Sequence, residues 1–250
     1  MNPKFSEVTF AEYIWIDSKL NVRSKTKVLK STRVRLEDLP EWNFDGSSTG
    51  QAEGNFSDVF IRPKKIYSDP FLGGNHILVL CECYQNESSP DKFNNRWRLV
   101  ESMKSYADLQ PWCGIEQEYV LFDRKTKLPL GWKGYNDPGC GGQGPYYCGV
   151  GGDRSFGRKI AQAHLQKCVD AGVHVFGMNA EVMASQWEYQ IGTSDPLTVA
   201  DDLWMARYIL DRITEDHGCY ADLHPKPYLV YWNWNGSGCH TIYSTKSMRE

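Results

Sequence analysis

The chain has 250 residues, 41% of them hydrophobic and 24% charged, with a formal net charge of −3. This composition is typical of a soluble globular protein with one large or two ordinary domains. The acidic balance argues against a nucleic-acid partner, which would usually require a basic face, and no apolar run approaches the ~18 residues of a membrane span. The opening residues, MNPKFSEVTF, lack the apolar core of a signal peptide, so we predict a cytoplasmic protein.

Cysteine usage indicates the redox state of the chain. The eight cysteines are scattered and form no paired CxxC pattern, and a chain of this size does not need disulfides to fold. We therefore predict reduced thiols at Cys81, Cys83, Cys113, Cys140, Cys148, Cys168, Cys219 and Cys239.

The first part of the chain predicts a small, mostly β domain. Residues 8–35 read as two strands of a hairpin, and further strands are predicted at 58–67 and 76–84. Between them, the segment 39–54 (LPEWNFDGSSTGQAEG) is rich in Gly, Ser, Asp and Asn, which predicts a loop. The polar stretch 85–91 predicts a boundary between this domain and a second one.

We accordingly assign a β domain to residues 1–88 and a second domain to 89–250. The second domain opens with a helical pattern over 91–109, where apolar residues recur every third position. A Gly-rich, aromatic segment at 128–153 lacks the GxxxxGK[ST] pattern of a P-loop, so we predict a structured lining loop there.

Further along, capping residues mark three helices. Asp153 or Ser155 is the predicted N-cap of a helix that ends at Gly172, and a longer helix is predicted over 196–217, stopped by Gly218. Between these two helices, residues 173–192 predict a strand, a break and a second strand. Ser244 is the predicted N-cap of a last helix that the sequence leaves only begun, so we expect the domain to be incomplete.

Two glutamates lie two residues apart within the apolar stretch PWCGIEQEY, residues 111–119. Successive side chains of a strand alternate between faces, so Glu116 and Glu118 should share one face. Two ionised carboxylates repel by about 4 kcal/mol at 4 Å and an effective dielectric of 20. The pair therefore needs a cation or bulk water, and an exposed edge face is the alternative interpretation.

The same pattern recurs after residue 173. Glu181 follows an apolar strand, and Glu188 lies opposite in face to Trp187 and Tyr189. Convergence of these carboxylates would call for a divalent cation, and all-oxygen ligands favour Mg²⁺ or Mn²⁺ over zinc. His240, in the Gly-rich stretch GSGCHT, could add one nitrogen ligand, although a lone histidine is more often structural.

These motifs carry a resemblance to the eukaryotic-type glutamine synthetases. It runs through LPEWNFDGSSTGQAEG, SDPF, PWCGIEQEY, GQGPYYCGVGGDR, NAEVMASQWEYQIG and KPYLVYWNWNGSGCHTIYSTKSMRE, and so covers almost the whole chain. The resemblance implies an α+β protein, with an N-terminal β-grasp domain and a catalytic domain built on a curved antiparallel sheet with flanking helices. It also implies ATP-dependent ligation of ammonia to L-glutamate, giving L-glutamine through a γ-glutamyl phosphate.

The resemblance assigns roles to individual residues. Glu118, Glu181 and Glu188 match the ligands of one metal ion, while Glu116 and His240 match ligands of a second that holds the ATP phosphates. Asp45 and Ser48 match the catalytic loop that reaches a neighbouring subunit's site, where Asp45 would bind ammonium and take its proton; an Asx-turn explains Asp45 equally well. The matching glutamate-binding residues are Asn233, Trp234, Asn235 and Gly236. The matching ATP-binding residues are Trp112, Glu116, Glu188, Tyr189, Gln190, Ile191, Gly192, Thr193, Ile242, Tyr243 and Ser244.

Departures from the family pattern qualify this expectation. Trp232 stands where the family has glycine, and Ile242 where it has asparagine. The family's stretch after MRE, which supplies arginines and a further metal ligand, does not follow, so we expect little or no turnover from the 250-residue chain alone. A non-catalytic assembly relative and a related glutamate–amine ligase remain alternatives. By resemblance the expected assembly is a homo-oligomer, a decamer of two stacked rings with sites between subunits.

Overall fold

The computed structural model describes residues 4–132, 144–227 and 235–250. The chain divides into two compact units, one formed by residues 1–110 with 170–172 and the other by 111–169 with 173–250. Both units combine a sheet with helices, which confirms the predicted α+β class. Among the described residues, no helix has the length and apolarity needed to cross a bilayer.

The first unit is built on a five-stranded sheet in the order β2-β1-β5-β4-β3. Its strands are β1 (Thr9–Ile16), β2 (Val22–Leu29), β3 (Trp42–Asp45), β4 (Asp58–Ser68) and β5 (Ile77–Tyr84). β1 and β5 pair in parallel, and the other pairs are antiparallel. The odd-numbered side chains of β1 form the core with residues from β3, β4 and β5, and Trp15 stacks on Phe44 with ring centroids 4.5 Å apart.

The helix α1 (Asn95–Tyr106) follows, capped by the Asn94 side chain, which accepts a hydrogen bond from the Trp97 backbone N–H. The predicted strands at 8–35, 58–67 and 76–84 and the helix at 91–109 are thus confirmed, although the helix is shorter at both ends. The predicted loop 39–54 is wrong in part, because its residues 42–45 form β3. This short edge strand is held by pairing with β4 rather than by a strand-like sequence of its own.

The second unit carries an antiparallel sheet in the order β10-β6-β8-β7, and β9 pairs with the far end of β6. The strands are β6 (Trp112–Asp123), β7 (Val175–Ala180), β8 (Gln186–Ser194), β9 (Cys219–Asp222) and β10 (Cys239–Ser244). The helices are α2 (Arg158–Ala171), α3 (Pro196–Glu215) and α4 (Lys246–Arg249). β6 is central, and its apolar face buries Ile115, Tyr119 and Leu121.

The helix boundaries correct two predictions. α2 begins at Arg158, later than caps at Asp153 or Ser155 would require, because Gly157 adopts φ +84° and separates the preceding turn from the helix. The N-cap of α4 is Thr245, since Ser244 is the last residue of β10. The helices α2 and α3 end as predicted near glycines in the left-handed region, Gly172 and Gly218 respectively. The predicted lining loop 128–153 lies partly outside the described residues.

The described cysteines form no disulfide. The free thiols differ in burial. Four are buried (Cys81, Cys83, Cys168 and Cys219), Cys113 is partly exposed, and Cys148 and Cys239 are exposed. This confirms the prediction of reduced thiols for these seven positions, and Cys140 lies outside the described residues.

Candidate active site

One face of the second sheet carries the acidic side chains. Register places Glu118 opposite Glu188 in the β6–β8 pair, and Glu116 opposite His240 in the β6–β10 pair. Directly opposed residues of an antiparallel pair project from the same face. Because Glu116 and Glu118 are two residues apart in β6, they share one face, as predicted. The same face therefore also holds Glu188 and His240.

Three carboxylates converge on this face. One carboxylate oxygen from each of Glu118, Glu181 and Glu188 lies within 4.8 Å of the other two. Glu181 lies just past the end of β7 and is 7% exposed. Its carboxylate accepts hydrogen bonds from the Asn179 amide (3.0 Å) and the Val182 backbone N–H (3.1 Å), which fix its direction.

Burial and mutual repulsion oppose ionisation in this cluster. Burial raises the pKa of the Glu181 carboxyl, and the charges of Glu118 and Glu188 raise it further. Burial likewise raises the pKa of Glu188, with Glu116 and Glu118 adding to the effect, while the hydrogen bond donated by the Gln190 amide lowers it. The folded protein thus holds these acids together at an electrostatic cost, which a bound cation would relieve.

The two oxygens of Glu118 have different surroundings. Oε2 accepts hydrogen bonds from Gln186 Nε2 (3.0 Å) and from the Gly238 backbone N–H (2.9 Å). Oε1 is the oxygen nearer to the imidazole, 4.0 Å from His240 Nε2. The hydrogen bonds at Oε2 leave Oε1 as the oxygen best able to accept a further ligand.

A cavity of about 370 Å³ adjoins Glu118. Its wall has little spare room at Gly238, since a Cβ there would lie 2.7 Å from His240 Cδ2. Ser237 is 4% exposed, and its hydroxyl has no hydrogen-bond partner among the described residues. The lining residues are Glu118, Pro225, Asn235, Gly236, Ser237, Gly238 and His240.

The donor set fits a hard divalent cation. Glu118, Glu181 and Glu188 offer only oxygen, which suits Mg²⁺ or Mn²⁺ better than a soft metal. The hydrogen bonds from nearby amide and backbone groups do not offset the repulsion among the three negative charges, because the pKa values of the Glu181 and Glu188 carboxyls remain raised. Glu116 and His240, opposed in register, lie beside this cluster and supply one further oxygen and one nitrogen.

The residues matched to nucleotide binding separate into two groups: side chains that are exposed or share the acidic face, and side chains that face the core. Trp112 is 47% exposed, and the Arg249 guanidinium lies over its indole, 4.2 Å from the ring centroid. Gln190 and Gly192 share the face of the acidic cluster, and Ile242 and Tyr243 are exposed on β10. Tyr189 and Ile191, by contrast, are 1% and 0% exposed and face the core, so only their backbone is available to a ligand. Thr193 is the last residue but one of β8, next to Gly192, and Ser244 is the last residue of β10, next to Tyr243.

Asp45 and Ser48 lie in the first unit and contact each other. Asp45 caps a 3₁₀ turn over residues 46–49: its carboxylate accepts hydrogen bonds from the Ser47 N–H (3.0 Å), the Ser47 hydroxyl (2.6 Å) and the Ser48 hydroxyl (3.0 Å). Hydrogen bonds from Ser47, Ser48 and Ser57 lower the pKa of Asp45 to about 2. This is the Asx-turn arrangement that the sequence left open, and it keeps the carboxylate ionised.

Two of the four residues matched to glutamate binding can be placed. Asn235 and Gly236 line the cavity beside Glu118. Asn233 and Trp234 lie outside the described residues, as does the unusual Trp232.

Several site residues escaped the sequence reasoning. Gln186, Asn179 and Gly238 hold the carboxylates through hydrogen bonds, and Arg249 covers Trp112. Gln186 carried a usable signal, because an amide at a position predicted to be buried needs a specific partner. Arg249 carried none, since its contact depends on how α4 leaves β10.

The family models match both units. The glutamine synthetase β-Grasp domain matches residues 7–86, and the glutamine synthetase catalytic domain matches residues 95–249. Glutamine synthetases of Yarrowia lipolytica and Panulirus argus are each 50% identical over 242 residues, and that of Saccharomyces cerevisiae is 47% identical. These alignments cover 96% of this chain and 65%, 65% and 64% of those proteins, so the chain spans less than two thirds of their length.

A solved structure confirms the fold independently. The structure described as a GmaS/ADP complex superposes with a TM-score of 0.71 at 18% identity, over 97% of this chain and 54% of that one. The match to both domain models and the identity to these relatives leave one assignment: the chain belongs to the glutamine synthetase family.

Proposed function

We propose that the protein carries out ATP-dependent ligation of ammonia to L-glutamate, giving L-glutamine through a γ-glutamyl phosphate. The observation that carries this proposal is the convergence of Glu118, Glu181 and Glu188 beside a cavity in a chain of the glutamine synthetase family. Because the chain spans less than two thirds of its curated relatives, the activity is proposed for the protein to which this chain belongs.

We propose two cation positions on this face of the sheet. Glu118, Glu181 and Glu188 would hold one Mg²⁺ or Mn²⁺ ion, and Glu116 with His240 would contribute to a second. When bound, such ions neutralise phosphate charge and align a phosphoryl transfer.

The protein's own groups orient the reactants. The carboxylate of glutamate is a poor electrophile, so it must first be phosphorylated, and ammonia then displaces phosphate. Asn235 and Gly236 line the cavity next to Glu118, which supports a glutamate-binding role for the segment that also includes Asn233 and Trp234. Asp45, ionised at neutral pH and beside Ser48, is suited to bind ammonium.

The nucleotide would lie along the sheet face towards Trp112. The exposed indole offers a stacking surface, and the further assigned contacts are Glu116, residues 188–193 and residues 242–244, with Tyr189 and Ile191 acting through backbone. We also propose, from the family resemblance, a cytoplasmic homo-oligomer with sites between subunits, a decameric double ring.

Metal binding tests this proposal at the level of the chain. Calorimetry with Mn²⁺ should detect a tight site in the 250-residue chain, and Glu118→Ala should abolish it. Undiminished tight binding in Glu118→Ala would show that the assigned cluster is not the site.

Substrate chemistry tests the reaction. The full-length protein should release ADP from ATP with glutamate plus ammonium, and much more slowly with glutamate plus a bulky amine. Faster release with the bulky amine would instead identify a glutamate–amine ligase. Mn²⁺ binding without ADP release under either condition would identify a non-catalytic relative.

A further inference from the structure

A buried glutamine lies directly behind the acidic cluster. Gln117 is on β6 between Glu116 and Glu118, but its side chain projects from the core face and the residue is 1% exposed. A buried amide is costly unless its donors and acceptor are satisfied. Its Nε2 donates to the carbonyl oxygens of Glu118 (2.8 Å) and Gly238 (3.3 Å).

Arg207 completes this arrangement from α3. Its guanidinium donates through both Nε (3.1 Å) and Nη2 (2.5 Å) to Gln117 Oε1 and lies over the Trp204 ring, 4.6 Å from the centroid. Two donors on one oxygen determine which end of the amide faces α3. The amide nitrogen is therefore directed towards the two carbonyl groups.

The carbonyl group of Gly238 belongs to the wall of the cavity. Residues 235–238, here called the strap, are held to β6 by the Glu118 N–H, which donates to Gly238 O (2.9 Å), and by the Gly238 N–H, which donates to Glu118 Oε2 (2.9 Å). On the acidic face, Gln186 Nε2 donates to Gly236 O (2.8 Å) as well as to Glu118 Oε2. The strap is thus tied to the sheet from both faces, by Gln186 of β8 and by Gln117 of β6.

We propose that Arg207 and Gln117 act as positioning residues that fix the strap and, through it, the direction of the Glu118 carboxylate. This inference rests on the proposed cation role of Glu118. The path is continuous: Arg207 orients the Gln117 amide, the amide holds Gly238 O, and the Gly238 N–H holds Glu118 Oε2 so that Oε1 is left for a ligand. Neither positioning residue touches the reacting groups.

A purely structural role would be limited to fastening α3 to the sheet. The two roles differ at Gln117→Glu, which keeps an acceptor for Arg207 and adds an ion pair but removes the amide donor to Gly238 O. If Gln117 only anchors α3, Gln117→Glu should have the Mn²⁺ affinity and the Gly238 exchange rate of the wild type. If it positions the strap, this variant should loosen the strap even though the contact with Arg207 is retained.

The experiment combines Mn²⁺ calorimetry with hydrogen exchange of the Gly238 amide, each measured on the 250-residue chain. We expect Arg207→Met, Gln117→Met and Gln117→Glu each to weaken Mn²⁺ binding about tenfold, as is typical when a partner of a metal ligand is lost, and to speed exchange at Gly238. Arg207→Lys, which keeps one donor, should recover part of both effects.

Arg212→Met is the matched control. Arg212 is on the same helix, five positions after Arg207, contacts an aromatic ring (Tyr208, 5.8 Å) and pairs with Glu215. This variant should leave Mn²⁺ affinity and Gly238 exchange unchanged. Wild-type affinity and exchange in both Gln117→Glu and Arg207→Lys, with Arg207→Met no different from Arg212→Met, would overturn the proposal.

The two readouts also separate this inference from the proposed function. If the wild-type chain binds no Mn²⁺, the proposed metal role of Glu118 fails, whereas the exchange rates at Gly238 still report whether Gln117 holds the strap. If Mn²⁺ binds tightly and the variants do not change its affinity, the positioning role fails and the proposed function stands.

Discussion

Glu118 and Glu188 lie directly opposite each other in the β6–β8 pair, and a carboxylate oxygen of each lies within 4.8 Å of the other. Like charges opposed across an antiparallel pair destabilise a sheet. Neutralising one member should therefore stabilise the metal-free protein while removing a ligand. This opposition of stability and function gives a direct test of the cluster.

The first prediction concerns Glu188→Gln. We expect this substitution to raise the free energy of unfolding of the metal-free chain by up to about 1 kcal/mol and to abolish the rise in melting temperature that Mn²⁺ produces in the wild type. Glu87→Gln, in an exposed loop, is the control and should keep the Mn²⁺ response. The assignment would be contradicted if the two variants responded alike to Mn²⁺.

The second prediction concerns pH. The carboxyls of Glu181 and Glu188 have pKa values raised above the ordinary 4.5, so the folded state binds protons more tightly than the unfolded state. Their stabilising contribution is present below pH 4.5 and is lost as the pH rises through the raised values. In the metal-free chain, Glu181→Gln should remove part of this pH dependence.

The Mn²⁺ affinity should change in the opposite direction. Because a cation must displace these protons, affinity should increase as the pH rises from 4.5 through the raised pKa values, with protons released on binding. Calorimetry in two buffers of different ionisation enthalpy measures that release. An affinity that is independent of pH over this range would contradict the assignment.

The sequence predicted those parts of the molecule that depend on local pattern. Alternation along β6 placed Glu116 and Glu118 on one face, and apolar spacing located α1 and α3. Strand β3 was missed because its four residues lie in a loop-like segment and gain their structure from pairing with β4. The start of α2 was misplaced because a positive φ at Gly157 overrides the upstream capping residues.

The interactions that hold the site were beyond local pattern. Glu118 and Gly238 are 120 positions apart, and Gln117 and Arg207 are 90 apart, so no periodicity relates them. The face of Tyr189 and Ile191, by contrast, follows from local pattern: alternation along β8 puts both side chains opposite Glu188, and both are buried.

The third prediction tests the space around His240. A Cβ at position 238 would lie 2.7 Å from His240 Cδ2 and 2.8 Å from Nε2, so Gly238→Ala should displace the imidazole. We expect the weaker of two Mn²⁺ binding events to lose affinity more than the tighter one. Among the residues that the structure describes, a Cβ at Gly236 would meet only Pro225 O, at 3.5 Å, so Gly236→Ala is the steric control. Equal effects of both alanines would rule out a specific clash with His240.

The fourth prediction concerns Asp45. With a pKa lowered to about 2, its contribution to stability is present above pH 3.8 and is lost only as the pH falls towards 2. Ser48→Ala removes one hydrogen bond to the carboxylate and should shift its NMR-detected pKa upwards, and Ser47→Ala should do the same. Ser88→Ala, in a separate exposed loop, should leave the Asp45 titration unchanged. A wild-type titration near 3.8 would contradict the hydrogen-bonded turn.

The last prediction tests the stacking surface at Trp112. The indole is 47% exposed and bears the Arg249 guanidinium on one face, and Arg249 Nη1 also donates to Ser244 O and Oγ (both 3.0 Å). If an adenine ring stacks here, Trp112→Ala should weaken binding of a non-hydrolysable ATP analogue about tenfold, the scale of base–aromatic stacking. Arg249→Met should also weaken it, because α4 is then no longer fastened over the indole. Trp97→Ala, which removes another partly exposed indole from α1, is the matched control and should bind the analogue like the wild type. Calorimetry with the analogue and Mg²⁺ measures all three, and an unchanged affinity in Trp112→Ala would place the adenine ring elsewhere.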